Sequence, residues 1–180
     1  MTRPPAKPGG RFPRLREFRQ EILTGPRAGA LGRSLQPSET LDVTHISGIG
    51  AGQRPKRVLV ADDDADVCAL LELVLAPLAH VTTVHDAEAA LSLLATQPAY
   101  DAIVSDFMLP GINGVEFVER VRRDKHVASV PILMISGHGE INVGARARAA
   151  GVDAFLDKPF TLTQLRATIR KLLLPRVRFA

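Results

Sequence analysis

Five short apolar runs, each followed by a stretch of helical periodicity, fill residues 57 to 174 and leave little choice of architecture. The runs are Val58-Leu59-Val60-Ala61, Val81–Val84, Ala102-Ile103-Val104, Val130–Ile135 and Ala154-Phe155-Leu156. Runs this short and this largely apolar fit strands covered on both faces of a parallel sheet. After the first run, Val67, Leu70, Leu71, Val74, Leu75 and Leu78 are spaced to share one helix face. A second helix is predicted over Asp86 to Ala95, burying Ala90, Leu91 and Leu94. A third covers Val115 to Arg123, with Phe117, Val118 and Val121 inward. A fourth, rich in Ala and Arg, covers Glu140 to Ala150. The last buries Leu165, Ile169, Leu172 and Leu173. Local signals punctuate the series. Asp64 is a candidate N-cap, and Pro110-Gly111 a turn. Gly151 is a helix stop, Thr161 with Gln164 a capping box, and Pro175 a terminator. Strict alternation of strand and helix predicts an α/β fold, a doubly wound parallel sheet with right-handed crossovers.

The chain divides into two compositional parts. Residues 1–55 are dense in Pro and Gly, which leaves room for short elements only. They are expected to form a largely disordered basic extension, with one candidate helix from about Leu15 to Leu23. Residues 56–175 carry the folded domain. Residues 1–57 hold 11 Lys and Arg against 4 acidic residues, a net of +7, and the rest nets −3. The pI of about 9.7 therefore reflects the extension. At 4% aromatic and without Trp, the chain lacks stacking platforms for single-stranded nucleic acid. One cysteine, Cys68, excludes an intrachain disulfide and a multi-Cys zinc site. No stretch of about 18 apolar residues exists to span a membrane, and no signal sequence is legible. A cytoplasmic location is expected.

Polar residues gather where the predicted strands end. Strand one ends in Asp62-Asp63-Asp64, strand two in His85-Asp86, strand three in Asp106, strand four in Ser136 and strand five in Lys158. Ligands of open α/β sheets bind at these carboxyl ends. With strand order 2-1-3-4-5, Asp62, Asp63 and Asp106 crowd together, flanked by Ser136 and Lys158. Two unit charges about 4 Å apart repel by roughly 4 kcal/mol at an effective dielectric near 20. A hard divalent cation such as Mg²⁺ relieves that repulsion and still accepts a phosphate oxygen. The set therefore predicts both a metal and a phosphate. Asp106 would be the nucleophile, Lys158 the charge partner and Ser136 a hydroxyl donor. His85-Asp86 reads as a helix cap before it reads as a further metal site.

The stretches VLVADDD (58–64), YDAIVSDFMLPGINGVEF (100–117), PILMISGHGE (131–140) and AGVDAFLDKPF (150–160) resemble receiver domains of two-component response regulators. The resemblance implies a flavodoxin-like (βα)5 sandwich. It implies that Asp106 is the phosphoacceptor and Asp63 a direct Mg²⁺ ligand. Asp62 would act through a metal-bound water, and the Met108 backbone carbonyl would complete the metal shell. Ser136 and Phe155 match the switch positions, although Phe155 serves equally as core packing. The Lys158–Pro159 bond matches one that is cis in the family. Gly137 stands where Ala is common, and Ser136 where Thr is commoner. His138 and Met108 sit where hydrolysis of the aspartyl-phosphate is tuned.

The implied function is a phosphorelay receiver. It would take phosphate from a sensor histidine kinase or a histidine phosphotransferase, hydrolyse it slowly, and signal by protein contacts as single-domain regulators do. Such a chain is a self-catalysing phosphoacceptor rather than a conventional enzyme. Two alternatives stand beside it. One is an adaptor that binds partners without phosphorylation, which would ignore Mg²⁺ and beryllofluoride. The other is a regulator that touches nucleic acid through its basic extension, against which the loose run of arginines argues. A phosphatase with an aspartate nucleophile in a DxDxT motif does not fit, because Asp62-Asp63-Asp64-Ala65-Asp66 lacks the Thr.

Overall fold

The computed structural model describes residues 54–97, 99–137 and 143–175. Five strands form one parallel sheet: β1 (Arg57–Ala61), β2 (His80–Val84), β3 (Ala102–Asp106), β4 (Ile132–Ser136) and β5 (Ala154–Asp157). They run in the order 2-1-3-4-5, the order that the flavodoxin-like resemblance implies. The helices are α1 (Ala65–Leu75), α2 (Ala87–Thr96), α3 (Gly114–Arg123), α4 (Val143–Ala150) and α5 (Leu162–Leu172). The strand order makes β2 and β5 edges. The central strands β3 and β4 are buried along their whole length, whereas the β2 and β5 side chains are half-buried or exposed. The sequence HVTTV of β2 already shows that lower apolarity.

Short polar side chains start the helices. The Asp64 carboxylate accepts from the N–H groups of Asp66 and Val67, and Asp86 accepts from Ala89 N–H at 2.6 Å. Asn113 accepts from Glu116 N–H, and Thr161 forms the full capping box with Gln164. Each satisfies amides that would otherwise lack partners in the first turn. α1 stops at Leu75, short of Leu78. Pro77 has no N–H to continue the helix, so Leu78 turns back and its N–H bonds Leu75 O at 2.8 Å. Gly151 ends α4 with φ 100°, a left-handed turn that suits Gly. The predicted residues 140–142 of that helix, and the whole Leu15–Leu23 segment, lie outside the described residues.

Strand side chains alternate between the two faces. Leu59, Ala61, Ile103, Ile132 and Met134 join one cluster with Leu94, Phe117, Val118, Val121, Val143 and Ala147 from α2, α3 and α4. The opposite strand positions, including Val58, Val60, Val104, Leu133 and Ile135, are equally buried. So are the inward faces of α1 and α5, with Leu70, Leu71, Val74, Leu165 and Ile169. Leu91, Leu172 and Leu173, expected inside, are only half-buried.

One guanidinium fastens the far end of the sheet. Arg122, in the last turn of α3, donates from Nη1 to the carbonyls of Ala128 and Val130, each at 2.8 Å. Its Nε donates to Gly151 O at 3.0 Å, and its Nη2 pairs with Asp153 at 2.8 Å. The Asp153 carboxylate also accepts from Ile132 N–H at 2.7 Å. α3, the entry to β4 and the turn into β5 are thus held by one side chain. Arg122→Met keeps the apolar stem but leaves these acceptors short of donors. It is expected to cost about 2–4 kcal/mol in urea unfolding. Arg120→Met removes only the exposed pair with Glu116 and should stay within about 0.5 kcal/mol of wild type.

Candidate functional site

The site is assembled by backbone bonds that run one residue past the strands. Asp62 follows β1, and its N–H donates to Val84 O at 3.1 Å. Asp106 is the last residue of β3, and the next N–H, from Phe107, donates to Ile135 O at 2.8 Å. Lys158 follows β5, and its N–H donates to Ser136 O at 2.7 Å. Because β1 and β3 are neighbours, with Ala61 opposite Ser105, the acids that follow them must meet.

They do meet. Carboxylate oxygens of Asp62, Asp63 and Asp106 lie within 4.8 Å of one another. Asp62 and Asp106 are buried at 2% and 6% exposure, while Asp63 faces out. Lys158 Nζ stands 3.3 Å from Asp62 Oδ2 and 3.3 Å from Asp106 Oδ1. Sequence reasoning paired Lys158 with Asp106. The second arm to Asp62 went unread because it depends on how far the lysine leans across β3. The other Asp62 oxygen accepts from Asp64 N–H at 3.0 Å.

These contacts do not fully compensate Asp62. Burial, and then the charge of Asp106, push its carboxyl up from 3.8 to about 6, against the pull of Lys158. Lys158 therefore offsets the charge on Asp62 only in part. The donors are all hard carboxylate oxygens, on two adjacent strand ends, with one of them open to solvent. That set fits a hard divalent cation of the Mg²⁺ kind.

The remaining predicted residues take varied places. Ser136 ends β4, is 2% exposed, and its hydroxyl donates to Gly137 O at 3.3 Å. Phe155 is half-buried and packs against the core cluster. The Met108 side chain is 43% exposed on the loop after Asp106. The Lys158–Pro159 bond is cis. His138 lies outside the described residues. His85 reaches Asp62 O with Nδ1 at 3.2 Å, and Asp86 caps α2. The Cys68 thiol donates to the same Asp62 carbonyl at 3.2 Å. Burial and the nearby Asp62 charge push that thiol up to about 11, so it stays protonated at neutral pH.

Gly114 is the residue that sequence reasoning overlooked. A Cβ there would lie 2.4 Å from Asp106 O and 2.9 Å from Phe107 Cα. Its N–H donates to Phe107 O at 2.9 Å. Only a residue without a side chain lets α3 begin against the backbone of Asp106. The available signal was the Asn113-Gly114 pair, a cap followed by a poor helix former.

A family model described as response regulator receiver domain matches residues 58–170. The transcriptional regulatory protein TcrA of Mycobacterium tuberculosis is 38% identical over 117 residues, covering 64% of this chain and 45% of its own length. The DNA-binding dual master transcriptional regulator RpaA of Synechocystis is 32% identical over 122 residues, with 65% and 48% covered. The chain spans about half the length of the curated relatives it matches. Among solved structures, the chemotaxis response regulator CheY4 of Vibrio cholerae superposes with a TM-score of 0.60 at 29% identity, covering 67% of this chain and all of its own. The receiver domain of the Francisella response regulator 1452 gives 0.60 at 27%, covering 67% and 97%.

The raised Asp62 carboxyl sets a pH dependence. Between about pH 4 and 6 the folded, metal-free chain keeps a proton that the unfolded chain has released. This group therefore lowers stability as pH rises through that window, by about 3 kcal/mol in all. Below pH 4 both states are protonated and the cost vanishes. In chelator at pH 7, Asp62→Asn is expected to be more stable than wild type in urea unfolding. The gap should close towards pH 4, and a gap independent of pH would contradict the assignment.

Proposed function

The chain belongs to the response regulator receiver domain family, and on that premise we propose that Asp106 accepts a phosphoryl group from the phosphohistidine of a sensor histidine kinase or histidine phosphotransferase. The observation that carries the reading is the convergence of Asp62, Asp63 and Asp106 beside Lys158 Nζ. Asp62, Asp63, Asp106 and the Met108 backbone carbonyl would hold Mg²⁺, which when bound would supply the positive charge that an incoming phosphoryl group demands.

The chain's own groups do the rest. An Asp106 carboxylate oxygen forms the bond to phosphorus while the P–N bond of the donor breaks, its electron pair leaving with the imidazole. Lys158 sits close enough to pair with the Asp106 carboxylate and then with a phosphoryl oxygen. The Ser136 hydroxyl, now turned to Gly137 O, rotates towards the phosphoryl group. Phe155 follows inward and alters the surface made by α4, β5 and α5. This is a shift between two populated states. Slow attack by water returns the carboxylate, and output passes through protein contacts. In this reading residues 56–175 are the receiver and residues 1–55 a separate basic extension.

Labelled acetyl phosphate tests the assignment. Wild type should take up label only with Mg²⁺ present, and Asp106→Asn should take up none. Equal labelling of the two would sink the reading.

The DNA-binding role in the name of the Synechocystis relative, with the net +7 of residues 1–57, favours a second reading. Here the basic extension contacts nucleic acid by charge. Gel shifts at low salt should then lose the complex when residues 1–55 are deleted. Binding that survives the deletion unchanged excludes the extension.

A further inference from the structure

α4 meets the loop that leaves Asp106 through one contact that the phosphoryl chemistry leaves unused. The Arg146 guanidinium carbon lies 5.6 Å from the centroid of the Phe107 ring. Phe107 is the residue directly after Asp106 and is 3% exposed. Its backbone is pinned on both sides, N–H to Ile135 O at 2.8 Å and O to Gly114 N–H at 2.9 Å. The ring itself packs in the core cluster with Val143 and Ala147 of α4. Arg146 is exposed on α4, and the ring contact is the interaction it makes among the described residues. Arg148, two residues on, folds back along α4 so that its Nη2 is 3.6 Å from a Cβ built on Gly144.

The other end of α4 is fixed. Arg122 donates to the Gly151 carbonyl and pairs with Asp153 just beyond it. α4 is thus anchored where it ends and rests on the phosphoacceptor loop partway along its length. A guanidinium over an aromatic face is held by the ring's negative quadrupole.

We propose that Arg146 is a positioning residue, whose guanidinium on the Phe107 ring sets the conformation of the Asp106 loop and ties α4 to the acidic site. The proposal rests on the reading of Asp106 as the phosphoacceptor. Coupling of this kind is reciprocal. A partner that displaces α4 would lift Arg146 from the ring and weaken ion binding, and ion binding would in turn hold α4 in place.

The sign of the effect separates positioning from simple charge. Loss of a nearby cation alone would strengthen Mg²⁺ binding to three carboxylates, while loss of a positioning contact weakens it. Mg²⁺ is titrated calorimetrically into full-length wild type, Arg146→Gln, Arg146→Lys, Arg148→Gln and Phe107→Leu. The amide resonances of Asp106, Phe107 and Met108 are followed in the metal-free proteins. Arg146→Gln is expected to weaken Mg²⁺ binding about two- to five-fold and to shift those amides. Arg146→Lys should recover most of the binding, and Arg148→Gln should not weaken it. In a Phe107→Leu background, Arg146→Gln should weaken binding no further. Tighter binding in Arg146→Gln, an additive double variant, or a lowered urea midpoint with unchanged Mg²⁺ affinity and amides would each overturn the proposal. Wild type that binds no Mg²⁺ would sink the phosphoacceptor reading instead, and the metal-free amide shifts would still decide whether Arg146 positions the loop.

Discussion

Mutual repulsion of three carboxylates is the constraint around which this domain is organised. Asp62 and Asp106 are almost wholly buried, and Asp63 is beside them. At about 4 Å each pair repels by roughly 4 kcal/mol at an effective dielectric near 20. The Lys158 ammonium answers it, equidistant from Asp62 and Asp106 at 3.3 Å. Asp62 still holds its proton to about pH 6, so the compensation is partial. A site left short of positive charge in this way is prepared for a cation and for the anion that a cation brings with it.

Keeping like charges together demands a stiff frame, and the sheet supplies it. The ladder continues past β1, β3 and β5 through the amides of Asp62, Phe107 and Lys158. Each site residue therefore leaves the sheet with its backbone already bonded. Gly114 brings α3 against the carbonyl of Asp106, where any side chain would collide. Arg122 closes the opposite end by joining α3, β4 and the turn into β5. Strain imposed by the acids is thus resisted by central strands buried along their full length.

Much of this was legible in the chain. The alternation of apolar runs and helical spacing led to a doubly wound parallel sheet, and the order 2-1-3-4-5 followed from the flavodoxin-like resemblance. Asp64, Asp86 and Thr161 cap the helices they precede, since capping depends only on residues two or three apart. The acids and the lysine at the strand ends were legible for the same reason, being fixed by where each apolar run stops. Less legible were features set by distant partners. The half-buried state of Leu91 and Leu172 depends on how far neighbouring elements reach. Arg122 looks like any other arginine in a basic helix end, and the acceptors it reaches on Ala128, Val130, Gly151 and Asp153 come from segments up to 31 residues away.

The sequence by itself therefore determined which residues end the strands, and so that Asp62, Asp63, Asp106, Ser136 and Lys158 share one edge of the sheet. Periodicity and capping are short-range, and they act before any tertiary contact exists. Only the tertiary structure decided how those groups divide the charge. It put Lys158 between two acids rather than on one, left Asp63 in solvent while burying Asp62, and seated Arg146 on Phe107. The reason is that desolvation and Coulomb energy depend on the last few ångströms of approach. That distance is set by packing across the whole sheet, and no local run of residues contains it.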